Sequence, residues 1–600
     1  MKNVKVFFEP DNIEVEVPQG SKISTALQKA GIHFDLPCGG KGICGKCRVK
    51  VLSGVVTVND TEKKHLGDKA DQGWRLACQA RINQSSRISV EKEVYSYHKI
   101  LSANRACGVE ERNSNPNITK KLFFFPEITL QNPISLQENI GNSVGLFPCE
   151  ISFEVVKSMA TEKTGEFTGV FYDKTLLGIE KGNTTKTSYG IGFDLGTTTM
   201  VLTLYDMPNC KEVVSVVKPN PQIQFGDDII SRVGFSMEKD GLIKLQQIII
   251  SEINKMIDES VKITGISRNN IYQFNLSGNT VMEQIFLKVQ LNSLSTIPFN
   301  PVIKGPIIIK AKEVNLNINP EGQIFIFPVL GGFVGGDAVA LVLATGIHRS
   351  EQICIGIDIG TNGEIVIGNK NGMISASTAA GPAFEGGRIT YGMRAQTGAL
   401  EKYKFNEEKM DFQYTIIGGN SLKGICGSGL VDVISSLKKA GLLESSGRFV
   451  PLSSNDLSKK YIRMINEHPV FVFEPEKQDS IHLTQKDVRE FQSAKGAIRT
   501  GVEILMSIYG TTIDKIDKIY LAGALGNFAS IDNLKEIGML PEIDAGKIVS
   551  CGNTSLGATI MYLCNKDLTY DINQIISKTK VIELSLYPKF QDVFTDSLFL

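Results

Sequence analysis

Residues 190–206 read GIGFDLGTTTMVLTLYD, and residues 354–368 repeat the pattern as CIGIDIGTNGEIVIG. Each copy has an apolar run, a D-x-G-T turn and a second apolar run, which predicts two strands joined by a tight turn. The residues that coincide include Asp194 with Asp358, Gly196 with Gly360, and Thr197 with Thr361. One copy would be weak evidence, because a hairpin can use Asp-Gly or Gly-Thr for geometry alone. Two copies 164 residues apart indicate an internal duplication with a shared task.

The chemistry of this turn fits phosphate. Glycine lets successive backbone N–H groups converge on phosphate oxygens, threonine hydroxyls add donors, and an aspartate can hold Mg²⁺ directly or through water. The predicted ligands are Asp194, Gly196, Thr197 and Thr198 in the first copy, and Asp358, Gly360, Thr361 and Asn362 in the second. The chain has no G-x-x-x-x-G-K-[ST] motif and no G-x-G-x-x-G after a strand, so neither a P-loop nor a dinucleotide fold is indicated.

The duplicated hairpin resembles the superfamily of acetate and sugar kinases, heat-shock chaperones and actin. The resemblance implies two related ribonuclease-H-like α/β halves that clamp a nucleotide, with a third element for the adenosine. The stretch IYLAGALGNFA fits that element, as a strand that runs into Gly523 and Gly526. Before it, apolar residues recur with helical spacing over 483–505. Lys495 and Arg499 on this helix either reach toward the nucleotide or are solvated.

A second motif, LPCGGKGICGKC, precedes the duplication. Its cysteines, with one distant partner, are Cys38, Cys44, Cys47 and Cys78. Structural zinc usually needs two paired knuckles, whereas three cysteines in a loop plus one distant cysteine is the plant-type [2Fe–2S] arrangement. Buried free thiols are the plain alternative. Residues 1–95 also resemble a β-grasp [2Fe–2S] ferredoxin, with a C-x5-C-x2-C spacing closer to its adrenodoxin-like and bacterial branch. That resemblance implies that these four cysteines are the cluster ligands.

Composition restricts the remaining possibilities. Sixty-four basic residues balance sixty-four acidic ones, so no broad attraction to nucleic acid or to an anionic membrane is expected. The chain starts without a signal-peptide pattern and has no uninterrupted apolar run of about 18 residues. Its eleven cysteines, an odd number, argue against a disulfide framework and for the reducing cytoplasm. We expect an α/β multidomain chain: a ferredoxin domain (1–95), a linker (96–122), a small α/β middle domain (123–187) and a two-lobed ATPase (188–600).

Two further turns contain candidate functional residues. In GGFVGGDA, Asp337 is a candidate to orient Mg²⁺ or an attacking water. The stretch STAAGPAFEGGRITYGMR begins at Ser377 and is rich in small residues, which either permit tight packing or form a surface that admits a bulky partner. Glu385 in this stretch is an alternative member of the nucleotide cleft.

Over almost its full length the chain resembles the ATP-dependent reductive activators of corrinoid proteins. The matching stretches are LPCGGKGICGKC, YGIGFDLGTTT, NPQIQFGDDIISR, DIGTNGEI, AAGPAFEGGRI and LAGALGNF. The resemblance implies that ATP drives the return of an oxidised Co(II) corrinoid to Co(I), through a [2Fe–2S] cluster, with ATP and Mg²⁺. It also implies a corrinoid protein of a methyltransferase system as partner, a low-potential donor such as ferredoxin or flavodoxin, and an anaerobic host. The oligomeric state is left open, with a homodimer as one alternative. Ser377 is predicted to face the corrinoid.

One branch of these activators carries two [4Fe–4S] clusters at a cysteine-rich C-terminus. This chain has only Cys551 and Cys564 there and therefore departs from that branch. Three other functions stay open at this point: a small-molecule kinase with a regulatory ferredoxin domain, an ATP-gated redox carrier or chaperone, and an activator of a radical dehydratase. The cysteine spacing disfavours the last, because such activators typically hold a [4Fe–4S] cluster.

Overall fold

The computed structural model describes most of the chain. The described residues are 3–10, 12–30, 32, 40, 42, 45, 47–54, 58–90, 115–125, 127, 129–131, 133–145, 150–160, 162, 164–419 and 421–600. Within them, no helix combines the length and the apolar character that crossing a membrane requires.

The N-terminal domain is a mixed sheet packed against a short helix. Its elements are β1 (Asn3–Glu9), β2 (Ile13–Pro18), β3 (Ser21–Lys22), α1 (Ile23–Lys29), β4 (Arg48–Ser53), α2 (Asp60–Leu66), β5 (Trp74–Leu76), β6 (Arg81–Ile82) and β7 (Ser86–Ser89). The main sheet has the order β2-β1-β7-β4-β5, in which β1 and β7 are parallel and the other pairs are antiparallel. Alternating residues of β1 fill the core, and α1 covers them. This is the β-grasp arrangement that the sequence predicted.

A small domain follows, with the sheet order β8-β10-β11-β9. Its elements are β8 (Ile118–Phe125), α3 (Leu136–Val144), β9 (Glu150–Ile151), α4 (Phe153–Met159), β10 (Gly165–Tyr172) and β11 (Thr175–Lys181). Strand β8 begins inside the stretch predicted as linker, so that boundary was placed too late. The polar sequence around Lys120 was misleading because this lysine is buried, and its Nζ forms an ion pair with Glu180 at 2.6 Å.

The first ATPase lobe contains a six-stranded sheet with the order β14-β13-β12-β15-β17-β16. Its elements are β12 (Tyr189–Leu195), β13 (Thr199–Asp206), β14 (Lys211–Pro219), α5 (Ile229–Ser236), α6 (Gly241–Thr264), β15 (Ile271–Gly278), α7 (Thr280–Phe286), β16 (Ile307–Lys310), β17 (Gln323–Ile326) and α8 (Gly336–Thr345). Strands β12 to β14 are antiparallel neighbours, whereas β15 and β17 run parallel to β12. The apolar face of α6 packs on this sheet and completes the core.

The second lobe has the order β28-β27-β18-β19-β20-β29 and repeats the topology of β14-β13-β12-β15-β17, while its sixth strand lies at the opposite edge, parallel to β20. The elements that build and cover this sheet are β18 (Cys354–Ile359), β19 (Gly363–Asn369), β20 (Gly372–Thr378), α9 (Gly427–Lys439), α11 (Gln485–Tyr509), β27 (Lys518–Ala522), α12 (Gly523–Phe528), α13 (Ile531–Glu536), β28 (Ile548–Gly552), α15 (Leu568–Lys578), β29 (Thr579–Val581) and α16 (Phe590–Ser597). Helix α14 (Thr554–Cys564) follows β28 but packs on β12 and β15 of the first lobe. Two small sheets and a helix are inserted before α11: β21 (Ala399–Asn406), β22 (Asp411–Ile416), β23 (Gly424–Ile425), α10 (Asp456–Tyr461), β24 (Ile462–Ile465), β25 (His468–Val472) and β26 (His482–Thr484).

The equivalence of the lobes confirms the predicted duplication. In each lobe the D-x-G-T motif forms the turn between two antiparallel strands. A parallel strand flanks the first strand of this hairpin, β15 in the first lobe and β27 in the second. The predicted helix before the adenosine element is α11, and its apolar stripe lies in the core of the second lobe. Both D-x-G-T turns therefore lie at the same end of their sheets, where the lobes face each other.

Candidate functional site

The two D-x-G-T turns meet between the lobes. The hydroxyls of Thr198 and Thr361 lie 2.9 Å apart and form a hydrogen bond. A cavity of about 190 Å³ opens beside them, and residues of both turns line it together with residues from other loops. The predicted residues that line this cavity are Asp194, Gly196, Thr197, Thr198, Asp337, Asp358, Gly360, Thr361, Asn362 and Gly523. Segments far apart in the sequence are thus brought to one place, as a nucleotide cleft requires.

Three half-buried aspartates face this cavity. Burial raises the pKa of Asp194 to about 6, against hydrogen bonds from Asn553 and Ser555 that lower it. Burial, together with neighbouring carboxyl groups, raises the pKa of Asp337 to about 7 and that of Asp358 to about 8. Asn553 Nδ2 donates to Asp194 Oδ2 at 2.7 Å. Three carboxyl groups therefore lie together at this cavity, and the hydrogen bonds that they accept offset only part of the cost of ionising them.

This donor set fits Mg²⁺ bound together with phosphate. In the part of the chain that the structure describes, no three acidic, histidine or cysteine side chains are grouped closely enough to hold a metal ion by themselves. Mg²⁺ usually takes one or two protein carboxylates and fills its octahedron with water and substrate phosphates. Asp194 and Asp358, at the ends of equivalent strands, are the residues that would supply those carboxylates.

The second turn is stabilised from its own lobe. Gly360 N donates to Asn362 O at 3.1 Å, and Gly381 N donates to Thr361 O at 2.8 Å. The Thr361 hydroxyl also donates to Glu385 Oε2 at 2.8 Å. Glu385 lines the cavity, so the stretch that begins at Ser377 does reach the nucleotide cleft.

The predicted adenosine element divides into two parts. Gly523 lines the cavity at the start of α12 with a φ of 80°. A Cβ atom there would lie 2.6 Å from Asp358 Oδ1, so only glycine allows this close approach. Gly526 lies a turn further on against Leu521, and its carbonyl accepts a hydrogen bond from Ser550 Oγ at 3.0 Å. Gly526 is absent from the described lining of the cavity.

Ser377 lies next to this cavity, facing a second and larger one of about 660 Å³. Its hydroxyl donates to Glu364 Oε1 at 3.3 Å, and Glu364 lines the phosphate cavity. Thr361 and Asn362 line both cavities. The second phosphate turn therefore forms the wall between the two.

Lys495 and Arg499 lie elsewhere. They line a separate cavity together with residues of α13 and α16. Lys495 is buried, and its ammonium group donates to the carbonyl of Phe599. Arg499 Nη1 donates to Leu540 O at 2.9 Å. Neither residue lines the described phosphate cavity, so the alternative of a reach toward the phosphates finds no support there.

The described half of the cysteine site fits a cluster. Cys47 Sγ lies 3.2 Å from Cys78 Sγ, and both residues are buried. With metal–sulfur bonds of about 2.3 Å, two sulfurs at this distance can bind the same metal ion. Gly40, Gly42 and Gly45 all have positive φ, at 77°, 78° and 65°, as a loop that wraps closely requires. Cys38 and Cys44 lie outside the described residues.

Sequence reasoning did not single out Asn279 or Asn553, and both line the cavity between the two D-x-G-T turns. Asn279 Nδ2 donates to Thr197 Oγ1 at 3.0 Å from the N-terminus of α7, and Asn553 does the equivalent for Asp194 from the N-terminus of α14. Each asparagine caps its helix within a Gly-Asn-Thr tripeptide between a strand and a helix. The recurrence of that tripeptide at 278–280 and 552–554 was the available signal.

Comparisons with known proteins match this architecture along most of the chain. A model for a 2Fe-2S iron-sulfur cluster binding domain matches residues 6–83. A model described as the RACo middle region matches residues 189–350, and one described as the C-terminal domain of RACo, the ASKHA domain, matches residues 352–600. The chain is 31% identical to the corrinoid activation enzyme RamQ of Eubacterium limosum, over 98% of both chains. The chain belongs to this family of corrinoid activation enzymes.

Two other similarities agree with this. A solved structure of a reductive activator for corrinoid, iron-sulfur protein superposes with a TM-score of 0.75 and 31% identity, covering 100% of this chain and 98% of that one. The [Co(II) methylated amine-specific corrinoid protein] reductase of Methanosarcina barkeri is 24% identical over 65% of this chain and 72% of its own length. The stretch that matches the RACo middle region, residues 189–350, is the first lobe of this chain and not the small domain that begins at Ile118. The activator thus carries an iron–sulfur domain and a nucleotide-binding domain.

Proposed function

We propose that this activator uses ATP to drive one electron from an N-terminal [2Fe–2S] cluster to the Co(II) corrinoid of a methyltransferase-system corrinoid protein. The observation that carries the proposal is the pairing, in one chain, of a cysteine site with two phosphate turns that meet at 2.9 Å. The full-length similarity to an enzyme named for corrinoid activation supports the same function.

The energetics explain the pairing. Moving one electron against about 100 mV costs about 2.3 kcal/mol, and plant-type clusters have potentials near about −400 mV. An acceptor of appreciably lower potential is therefore reduced only in a small fraction at equilibrium. Nucleotide binding and hydrolysis can shift that fraction, provided that the two states of the activator bind the acceptor differently.

In this proposal the residues divide into two groups. Residues 1–95 carry the electron, with Cys38, Cys44, Cys47 and Cys78 as cluster ligands; the segment up to Ile118 links this domain to the rest, and residues 188–600 hydrolyse ATP. The phosphates of Mg-ATP contact Gly196, Thr197 and Thr198 in the first lobe and Gly360, Thr361 and Asn362 in the second. Asp194 and Asp358 hold Mg²⁺, Asp337 orients the metal ion or the attacking water, and Gly523 and Gly526 accept the adenosine.

Ser377 belongs to the corrinoid side of the proposal. It lines the larger cavity, while its hydrogen bond to Glu364 connects it to the phosphate cavity. A ligand in the larger cavity would therefore lie one hydrogen bond away from a residue of the nucleotide cleft. The geometry favours a role for Ser377 in sensing or ligating the corrinoid. It also provides a short route by which ATP could alter that contact.

The partners complete the proposal. The corrinoid protein binds transiently, because an activator must release it after reduction, and a low-potential ferredoxin or flavodoxin supplies the electron. The balanced charge of the chain supports partners other than nucleic acid or an anionic membrane surface. We place the reaction in the reducing cytoplasm and keep a homodimer as part of the proposal.

The test is an anaerobic assay with the full chain. Reduced protein is mixed with a Co(II) corrinoid protein, with and without Mg-ATP, and the Co(I) absorption is followed. We expect Co(I) to accumulate only with ATP, in proportion to the phosphate released. Co(I) formation that is indifferent to ATP, together with phosphorylation of an added sugar or acid, would instead establish a kinase with a regulatory ferredoxin domain.

A further inference from the structure

The segment Asn220–Arg232, which reads NPQIQFGDDIISR, lies directly behind the first phosphate turn. It leaves β14, forms a tight 3-10 turn over Pro221–Gln224, and enters α5. Both of its terminal residues are fully buried, and both contact the phosphate turn. Nothing in the proposed function so far gives this segment a role.

The segment holds three consecutive carbonyl groups of the turn. Asn220 Nδ2 donates to Gly196 O at 2.9 Å, and Asn220 N donates to Thr198 O at 2.8 Å. Arg232 Nη2 donates to Thr197 O at 2.6 Å. Because a trans peptide points its C=O and its N–H in opposite directions, these bonds turn the N–H groups of residues 197–199 away from the segment. Residues 197–199 line the phosphate cavity, and neither Asn220 nor Arg232 is part of its described lining.

Arg232 also places a positive charge there. Its other hydrogen bonds go to neutral acceptors, Gly226 O at 3.1 Å and Gln222 Oε1 at 3.2 Å. Burial lowers the pKa of Arg232 to about 10, opposed by the carboxylates of Asp228, Asp227 and Glu385, so the guanidinium is charged at neutral pH. A buried charge is costly unless an opposite charge lies near it. The carboxylates of Asp228, Asp227 and Glu385 offset part of that cost, and a phosphate group on the other side of the turn would offset more of it.

We propose that Asn220 and Arg232 are positioning residues for ATP, which orient the backbone N–H groups of the first turn and add an attractive cation behind it. The proposal rests on the proposed use of ATP. Both turns have a carbonyl held by a backbone N–H, from Asn220 in the first lobe and from Gly381 in the second. The side-chain donors Asn220 and Arg232 are an addition at the first turn, where Gly381 of the second lobe has no side chain to offer.

Calorimetric titration of the full-length protein with Mg-ATP tests this. Arg232→Met keeps the volume and removes the charge, Arg232→Lys keeps the charge, and Arg268→Met is the matched control, because Arg268 is paired with Asp258 on the surface of the same lobe. Loss of the cation behind the turn, and of the hydrogen bond that orients the peptide after Thr197, predicts a Kd for ATP raised about ten- to hundredfold in Arg232→Met. We expect partial recovery in Arg232→Lys, no change in Arg268→Met, and a smaller effect on AMP than on ATP.

Asn220→Asp is an independent test of the proposal, and it remains available when Arg232→Met does not fold. It removes the donor to Gly196 O and keeps the oxygen that accepts from Gln222 N at 3.0 Å. Weaker ATP binding with an unchanged cluster spectrum and unfolding midpoint supports the proposal. Folded Arg232→Met and Asn220→Asp proteins that bind ATP like the wild type overturn it, as does an equal loss for AMP and ATP. If the wild type binds no Mg-ATP, the proposed function itself fails.

Discussion

The two phosphate turns have the same D-x-G-T sequence but differ in what supports them. In the first lobe, the carbonyls of Gly196 and Thr197 are held by side chains of a separate segment, Asn220–Arg232. In the second lobe, the Thr361 carbonyl accepts from the backbone N–H of Gly381, and the Thr361 hydroxyl donates to Glu385. Duplication thus preserved the strand–turn–strand backbone, while the groups around each turn diverged. The two copies are therefore not chemically equivalent.

The aspartates show the same divergence. Burial raises both pKa values, but Asp194 reaches only about 6 whereas Asp358 reaches about 8. The difference arises because Asn553 and Ser555 donate to Asp194, which stabilises its ionised form, whereas the carboxylates of Asp337 and Asp194 surround Asp358. The first aspartate is hence the better preformed anion. A cation shared by the two would depend on it more strongly.

The largest effect is expected for Asp194→Asn. Removing the carboxylate that would hold Mg²⁺ should lower ATP hydrolysis and ATP-dependent Co(I) formation by at least about a hundredfold. Asp358→Asn should cost less, because that carboxyl is less readily ionised. Steady-state phosphate release and the Co(I) spectrum measure both variants, and the absorption of the iron–sulfur cluster should be unchanged. An equal loss in the two variants would contradict the ranking, and loss of the cluster spectrum would contradict the division of the chain into two modules.

Substitution of one glycine in each turn compares the two turns through the free energy of unfolding. In Gly196→Ala the new Cβ would lie 2.3 Å from Thr199 O, whereas the nearest atom in Gly360→Ala is Asn362 O at 3.5 Å. The overlap should destabilise Gly196→Ala by about 1–3 kcal/mol, and Gly360→Ala should stay within about 0.5 kcal/mol of the wild type. Chemical denaturation followed by circular dichroism gives both values. Similar stabilities in the two variants would mean that the turns are equivalent after all.

The repeated D-x-G-T motif was enough to predict two related lobes and the cleft between them. Two aligned D-x-G-T copies were enough to place β12 and β18 in related lobes and to bring Thr198 and Thr361 to one cleft. The cysteine spacing favoured an iron–sulfur cluster, and the resemblance to ferredoxins implied the β-grasp domain. These features depend on local turn geometry and on apolar alternation, which short stretches of sequence record.

The supporting residues could not be found that way. Arg232 lies 35 residues from the carbonyl that it binds, and Asn553 lies 359 residues from Asp194. Such pairs arise from the packing of α5 and α14 behind the sheets, which no local pattern specifies. The same holds for the start of the small domain, where the buried ion pair of Lys120 made a strand look like a polar linker. Long-range polar contacts were therefore the main features that the sequence did not reveal.

A smaller difference in unfolding free energy is expected between variants of the two threonines that form the hydroxyl contact between the turns. The Thr361 hydroxyl forms hydrogen bonds with both Thr198 and Glu385, whereas the Thr198 hydroxyl bonds Thr361. Thr361→Val should lower the unfolding free energy by about 1–2 kcal/mol and Thr198→Val by about 1 kcal/mol, since each lost hydrogen bond is worth about 0.5–1.5 kcal/mol. Urea denaturation measures both. A more damaging Thr198→Val would show that the first turn, not the second, anchors this contact.

A pH-dependent effect is expected at an ion pair that connects the residues after α8 to α15. His348 Nε2 lies 3.0 Å from Asp571 Oδ1, and Arg349 Nε donates to the same oxygen at 2.7 Å. Burial lowers the pKa of His348 against the raising influence of Asp571. Burial alone would raise the pKa of Asp571, but the hydrogen bonds from Arg349 and His348 leave it lowered.

Both shifts predict loss of stability in acid. Because the unfolded chain protonates histidine more readily, with a pKa of about 6.5, the unfolding free energy should fall as the pH drops below that value, by at most about 1.4 kcal/mol per pH unit for this group. The contribution of Asp571 disappears only further down, below its unfolded pKa of about 3.9. His348→Gln should flatten the slope between pH 7 and 5 in urea titrations, in part only, because burial also lowers the pKa of His482. The exposed His468 provides the matched His468→Gln control. An unchanged slope in His348→Gln would mean that protonation of His348 does not contribute to the loss of stability in acid.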